Sequence, residues 1–298
     1  MPLFSGAVNI TELVVPEGTE FVQEKLAMWQ FQDIDDTYDN HSAGWVSPLD
    51  MFDVANLSLV LGDYVVLSMR IDERKVSSAL LKKLVAKEER RERAEMQIPK
   101  LSRARRVAIK ERVKTELLRK TAPTSSTVEV VWNVTDRRLF FLAVPGSSLE
   151  VFMDLFKQTF GAELELPEYE NSEDFLAWCW WKSEAINMAG RMSIGEGADQ
   201  QVVCAEGPEA FKALGLGKKI SQAQIRVEEK GACTLVPGLM VFKGAKLPTV
   251  ADPGDIDHGL VLERIHLLTE MVDAVLEEWK LYLGADLSGM TDWVEKSE

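Results

Sequence analysis

The 298-residue chain is too long for one small core and suits two or three compact units. Its 46% apolar and 28% charged residues exclude a disordered chain, and no apolar run approaches the roughly 20 residues of a membrane helix. The net charge of −14, from 34 basic and 48 acidic residues, argues as an average against a general nucleic-acid binder.

The pattern opens as an αβ unit. Val8–Val15 reads as a strand, and Glu17–Phe31 has helical spacing. Gly44-Trp45-Val46 begins short strands, and Asn56–Leu61 with Tyr64–Ile71 forms a hairpin around Gly62-Asp63. From Lys75 the period changes. Val76, Leu80 and Leu84 recur every fourth residue, and helix formers run to Met96. Pro99 interrupts, and Ser102 caps a second helix over Arg103–Lys120. Thr121–Thr127 reads as a small polar loop at the tip of this basic region.

Beyond it, Val128–Val134 and Arg138–Val144 predict a hairpin, and Ser147–Phe160 an amphipathic helix ending at Gly161. Leu164 and Leu166 suggest a short strand. Ser172 starts a helix carrying Trp178, Trp180 and Trp181, where Phe175, Trp178 and Cys179 share a core face. Ile220–Val227 and Ala232–Phe242 read as a strand pair, Lys246–Asp257 as a loop, and Leu260–Leu283 as a long closing helix. The fold class is α+β: two αβ units with mainly antiparallel sheets, joined by a basic helical arm and closed by the long C-terminal helix. The divisions are an N-terminal unit over 1–72, the arm with its tip loop over 73–126, a second αβ region over 127–245, and loop plus helix over 246–298.

Charge is segregated along this order. Residues 70–120 hold 18 Lys and Arg against 8 Asp and Glu, a surplus of ten positive charges. The remaining chain holds 16 basic and 40 acidic residues, and Lys25 is the only Lys or Arg in residues 1–69. Concentrated positive charge attracts polyanions, while acidic surface restricts where they dock. At 100° per residue the second helix sets Arg105, Arg112 and Arg119 on one stripe. Arg103, Lys110 and Lys114, flanked by Arg106, form another. Ala104, Val107, Ala108 and Leu118 lie between them on one side, and Ile109, Val113 and Leu117 on the other.

Catalytic motifs fail on context. Asp33-Ile34-Asp35-Asp36-Thr37 matches the D-x-D-x-T of haloacid-dehalogenase-type phosphatases, but no buried strand precedes it and no βαβ series follows. As an EF-hand loop it lacks Gly at position 6, where Tyr38 stands, and Glu at position 12. Gly215-Leu216-Gly217-Lys218-Lys219 lacks the length and hydroxyl of a phosphate loop. The three cysteines and three histidines are too dispersed for a zinc site or a disulfide framework. MPLFSGAVNITELVV has no basic n-region and carries Glu12, so a cytoplasmic location is expected.

Several features follow one another in a distinctive order: Gly44-Trp45-Val46-Ser47-Pro48, the basic stretch through Leu117-Leu118, Val131-Trp132, and Leu155-Phe156-Lys157-Gln158-Thr159-Phe160-Gly161. Glu170-Asn171 before the Trp-bearing helix, Gly217-Lys218-Lys219-Ile220 and the closing helix complete the set. In this order the chain resembles the RdgC family of bacterial recombination-associated proteins. The resemblance implies a ring-shaped homodimer around duplex DNA, associated with the nucleoid, that binds with little sequence preference and restrains RecA-promoted recombination. The expectation is a non-catalytic DNA-binding dimer with no cofactor. One departure stands out: the family's finger loop can carry an aromatic residue, whereas Ala122-Pro123-Thr124-Ser125-Ser126 has none, which argues against intercalation.

The expected phosphate ligands are Arg103, Arg105, Arg106, Lys110, Arg112, Lys114, Arg119 and Lys120, supplemented by Lys82, Lys83, Lys218 and Lys219. Double-stranded DNA is the first expected partner and single-stranded DNA the second. The alternative is a metal-dependent nuclease, and a third reading is a protein-interaction module whose basic arm docks on an acidic partner.

Overall fold

The computed structural model describes residues 6–37, 39–169, 172–195, 197–205, 207–247, 258–287, 289–290 and 294. Tyr38, Glu170-Asn171 and most of the Lys246–Asp257 stretch therefore lie outside the described residues.

The N-terminal region contributes β1 (Val8–Val14), the short α1 (Gln23–Met28), β2 (His41–Val46), β3 (Ser58–Leu61) and β4 (Tyr64–Glu73). Two helices follow, α2 (Ser78–Glu95) and α3 (Arg103–Lys120). Then come β5 (Thr124–Asn133), β6 (Arg138–Phe141), α4 (Ser147–Phe160) and α5 (Phe175–Lys182). The last part holds β7 (Ile186–Ile194), β8 (Gln201–Cys204), α6 (Pro208–Gly215), β9 (Ile220–Val227), β10 (Gly231–Val236), β11 (Val241–Lys246) and α7 (His258–Leu283).

The fold is α+β, with antiparallel strand ladders and a long C-terminal helix. The two expected sheets join into one 11-stranded sheet, ordered β2-β4-β5-β6-β1-β11-β10-β9-β7-β8, with β3 beside β4. β1 is the junction. Val8 and Ile10 pair with β11, while Thr11–Val14 pair with β6. Strand alternation then divides the apolar residues between two faces. Leu13, Val65, Leu67, Val130, Trp132, Leu139 and Phe141 pack against α4 through Phe152 and Phe156. Ile10, Val66, Val131 and Phe140 join the other core with α5, β9, β10 and α7.

Local signals explain most elements. Ser102 Oγ accepts from the Arg105 N–H at 3.3 Å, and α4 ends at Gly161, whose φ of 76° needs no Cβ. Phe175, Trp178 and Cys179 are core, as their shared face required.

Four expectations change. The helix expected over Glu17–Phe31 shrinks to α1, because Pro16–Thr19 forms a turn and Gln30 instead bridges Trp45 in parallel. Ala232–Phe242 is not one strand: a turn at Pro237–Met240 divides it into β10 and β11. Leu164 and Leu166 flank a single bridge, Val14 to Glu165. Thr121–Thr127 is not a loop at a tip. β5 begins at Thr124 and pairs with Glu73, so this polar segment is the root of the arm.

Candidate nucleic-acid interface

α2 and α3 fold back on each other as a helical hairpin. Ser77 caps the first helix by accepting from the Leu80 N–H. At its far end Gln97 takes φ 51°, Gln97 N–H donates to Ala94 O, and Ile98 N–H donates to Arg93 O. This is a Schellman stop, and Pro99 prevents resumption. The true tip is thus Gln97–Leu101. Ile109, Val113 and Leu117 are buried in the seam with Leu101, against Val76, Leu81, Leu84, Val85 and Ile98. Every member of this small core belongs to the arm and its links. The other expected apolar stripe is solvent-facing: Ala104, Val107 and Ala108 are exposed, and Leu118 is half-buried.

The seam also sorts charge. Glu88 and Glu92 of α2 face α3 and are only 20% and 23% exposed. Arg105 reaches Glu92 at 3.3 Å, and Arg112 reaches Glu88 at 3.5 Å. Arg91 takes Glu88 and Glu95 at 2.9 and 3.3 Å. Two members of the expected Arg105-Arg112-Arg119 stripe therefore hold the hairpin together. Arg119 and Lys120 lie exposed in the last turn of α3.

The other expected bases of the arm remain outward. Lys82 and Lys83 on α2, and Arg103, Arg106, Lys110 and Lys114 along one edge of α3, are exposed. None of them forms an ion pair with a described residue. Sequence reasoning missed Lys87 and Arg90. With Lys83 they follow i, i+4, i+7 spacing on the outer face of α2, among Ala79, Ala86 and Ala94, with no acid on that face. The same 100° placement that sorts α3 identifies them.

Lys218 and Lys219 are not brought to the arm. They precede β9, five strand positions from β5, roughly 24 Å at the usual strand spacing. Lys219 is ion-paired with Asp174, and Lys218 lines a small cleft with Leu214, Gly217 and Met290.

The root of the arm is polar and buried. Arg70, Asp72 and Arg74 alternate onto one face of β4 and its end, each no more than 6% exposed. Arg70 binds Asp72 through two hydrogen bonds of 2.8 and 2.7 Å, which raises its pKa, and its guanidinium lies 4.2 Å from the Phe31 ring. Asp33–Thr37 is a loop after α1, closed by an Asp35 N–H bond to Asp33 Oδ1. Only the single parallel bridge of Gln30 to Trp45 directly precedes it, not the buried strand a phosphatase motif needs. Elsewhere, Arg138 joins Glu12 at 2.5 Å and Asp273 at 2.6 Å, tying β6 to β1 and α7. Among the described residues no three His, Cys, Asp or Glu side chains converge as a metal site. Among them, too, no helix is long and apolar enough to cross a membrane.

The profile of one protein family, described as "Putative exonuclease, RdgC", matches residues 11–193. That span is more than half of the chain and contains the whole arm. The chain belongs to the RdgC family. Membership places it among recombination-associated proteins, with a DNA-related role. The RdgC match ends within β7, so Lys218, Lys219 and α7 lie beyond it. No curated protein matches the chain.

Proposed function

We propose that this RdgC-family chain is a non-catalytic, sequence-tolerant DNA-binding protein. Its homodimer encircles duplex DNA, and the bound ring modulates RecA-dependent recombination. The observation that carries the reading is the sorting of charge across the hairpin: Glu88 and Glu92 are held in the seam, while the Lys83-Lys87-Arg90 face of α2 and the Arg103-Arg106-Lys110-Lys114 edge of α3 point outward. An 18-residue helix is about 27 Å long, close to eight base-pair rises, so several phosphates fall within reach of one arm. The outward side chains are mostly Lys, Arg and small apolar groups, with Glu95, Glu111, Thr115 and Glu116 among them. Neither α2 nor α3 contains Asn or Gln, the usual readers of adenine, which favours backbone contact over base readout. Acidic surface on the rest of the chain disfavours docking elsewhere and suits a ring with a basic interior.

The test is binding to unrelated duplexes over a salt series, by fluorescence anisotropy. Affinities agree within a few-fold, and log K falls linearly with log salt by about 0.9 per phosphate contact. A strong preference for one sequence, or a flat salt response, overturns the reading. The family description names an exonuclease, which supports a second reading, the metal-dependent nuclease expected as the alternative. Incubating end-labelled duplex and single strands with magnesium separates the two, because a binding protein leaves the labelled strands intact.

A further inference from the structure

The arm is a cantilever. Its core contains only residues 76 to 117, and among helices and strands α2 and α3 pack substantially only on each other. It leaves the body at Glu73 and returns at Thr124, which are paired in the β4–β5 ladder. That pairing fixes where the arm begins and leaves its angle open, because residues 74–77 and 121–123 are short links outside helix and strand.

The Arg74 side chain crosses this gap. Arg74 Nη1 donates to the carbonyl of Leu118, in the last turn of α3, at 3.2 Å. Its Nη2 donates to the carbonyls of Ile34 and Asp35, in the loop of the N-terminal unit, at 2.6 and 2.9 Å. Its backbone N–H donates to Asn40 O at 2.9 Å. A single planar guanidinium thus joins the end of the arm to the body, and the carbonyl end of a helix is where a cation is favoured. The arrangement is costly as a stabilising device. Arg74 is 6% exposed, forms no ion pair with a described residue, and leaves its Nε buried without a partner. Held by carbonyls alone among the described residues, this buried cation specifies geometry more than it adds stability.

We infer that Arg74 is a positioning residue for DNA binding, fixing the angle at which the basic arm leaves the body. The inference rests on the arm being the DNA-binding element. It assigns Arg74 no contact with DNA. With the clamp intact the bases are preorganised. Without it they must be ordered at the moment of binding, which weakens affinity while leaving the number of phosphates engaged unchanged.

The experiment uses full-length protein with Arg74→Met and Arg74→Lys. Lysine keeps the charge but cannot span both sets of carbonyls with a planar fork. Spin labels at Gln97→Cys on the tip and Glu150→Cys on α4, in a Cys204→Ser background, report the arm angle without DNA. The distance distribution broadens in Arg74→Met and recovers in part in Arg74→Lys. Duplex affinity falls by about tenfold in Arg74→Met, a loss typical of removed preorganisation, with the salt slope unchanged. Hydrogen exchange within α2 and α3 stays at wild-type protection. An unchanged distance distribution overturns the proposal. So does a salt slope that falls with affinity, or collapse of exchange protection within the hairpin. If the unaltered protein fails to bind DNA, the functional reading fails, and the distance measurement still decides whether Arg74 sets the arm.

Discussion

Gly44 and Phe31 touch backbone to backbone: a Cβ on Gly44 would lie 2.5 Å from the Phe31 Cα. The close approach exists because residues 29–31 run beside β2. Phe31 N–H donates to Trp45 O at 2.9 Å, and Trp45 N–H donates to Trp29 O at 3.0 Å. Trp45 is then locked from its other end by its indole N–H, which donates to Thr159 Oγ1 of α4 at 2.8 Å. Gly44→Ala must push two hydrogen-bonded segments apart. It destabilises the protein by about 1–3 kcal/mol, the usual cost of overpacking. Gly284→Ala, where only one carbonyl oxygen lies 3.9 Å away, changes stability by less than about 0.5 kcal/mol. Urea denaturation of the two variants checks the contrast, and equal effects would contradict it.

The outward bases of α2 and the seam arginines of α3 are expected to respond differently when replaced. Replacing Lys83, Lys87 and Arg90 with Gln removes three outward charges that form no ion pair with a described residue. Binding to every duplex weakens alike, and the salt slope shrinks by about 0.9 for each phosphate no longer engaged. Replacing Arg105 and Arg112 with Gln leaves Glu88 and Glu92 facing each other's field in the seam. Both arginines are about half exposed, so the stability cost stays within about 1 kcal/mol. The slope changes less than for the α2 triple. A larger slope change from the Arg105 and Arg112 pair would show that the seam arginines are the phosphate ligands.

The parts of this fold that the sequence announces are those set by nearby residues. Ser102, the apolar spacing after it and Pro123 define α3 to the residue, and Gly161 ends α4. β7 is hidden in the sequence because a bulge between Met188 and Met192, with Gly190 inside it, breaks the period of two. β8 has only four residues. Thr124–Thr127 reads as a loop because it is all Ser and Thr. It is a strand because Arg70–Glu73 of β4 supplies its hydrogen bonds from more than 50 positions away. The basic character of the arm is equally local and equally legible. Which arginines face the acids depends on the hairpin seam, and the Arg74 clamp depends on a loop 40 residues earlier.

The arm's separate core predicts separate unfolding. Ile109 is 2% exposed in a cluster with no residue from the body. Ile109→Ala removes packing worth about 2–5 kcal/mol from that cluster alone. Amide exchange accelerates throughout α2 and α3, while α4 and the central strands keep their protection. Uniform acceleration across all helices would mean that the hairpin and the sheet unfold as one unit.

The three thiols differ in access, and the difference is measurable. Cys204, on the edge strand β8, is exposed, whereas Cys179 and Cys233 are buried. Burial pushes the Cys233 thiol up to about 12. It raises Cys179 well above the usual range, with Glu278 adding to the effect. Since the thiolate is the reactive form, a disulfide reagent at pH 8 titrates one group in the native protein and all three after denaturation. The shift of Cys233 also couples to stability. Below about pH 9 its thiol is protonated in both the folded and the unfolded chain, so its burial contributes in full. Between about 9 and about 12 the unfolded chain loses this proton while the folded chain keeps it, and stability falls as pH rises. Cys233→Ala removes this contribution, so the stability gap between wild type and variant narrows across that range. A gap that widens with pH, or native Cys233 reacting as fast as Cys204, would show the thiol to be ionised within the fold.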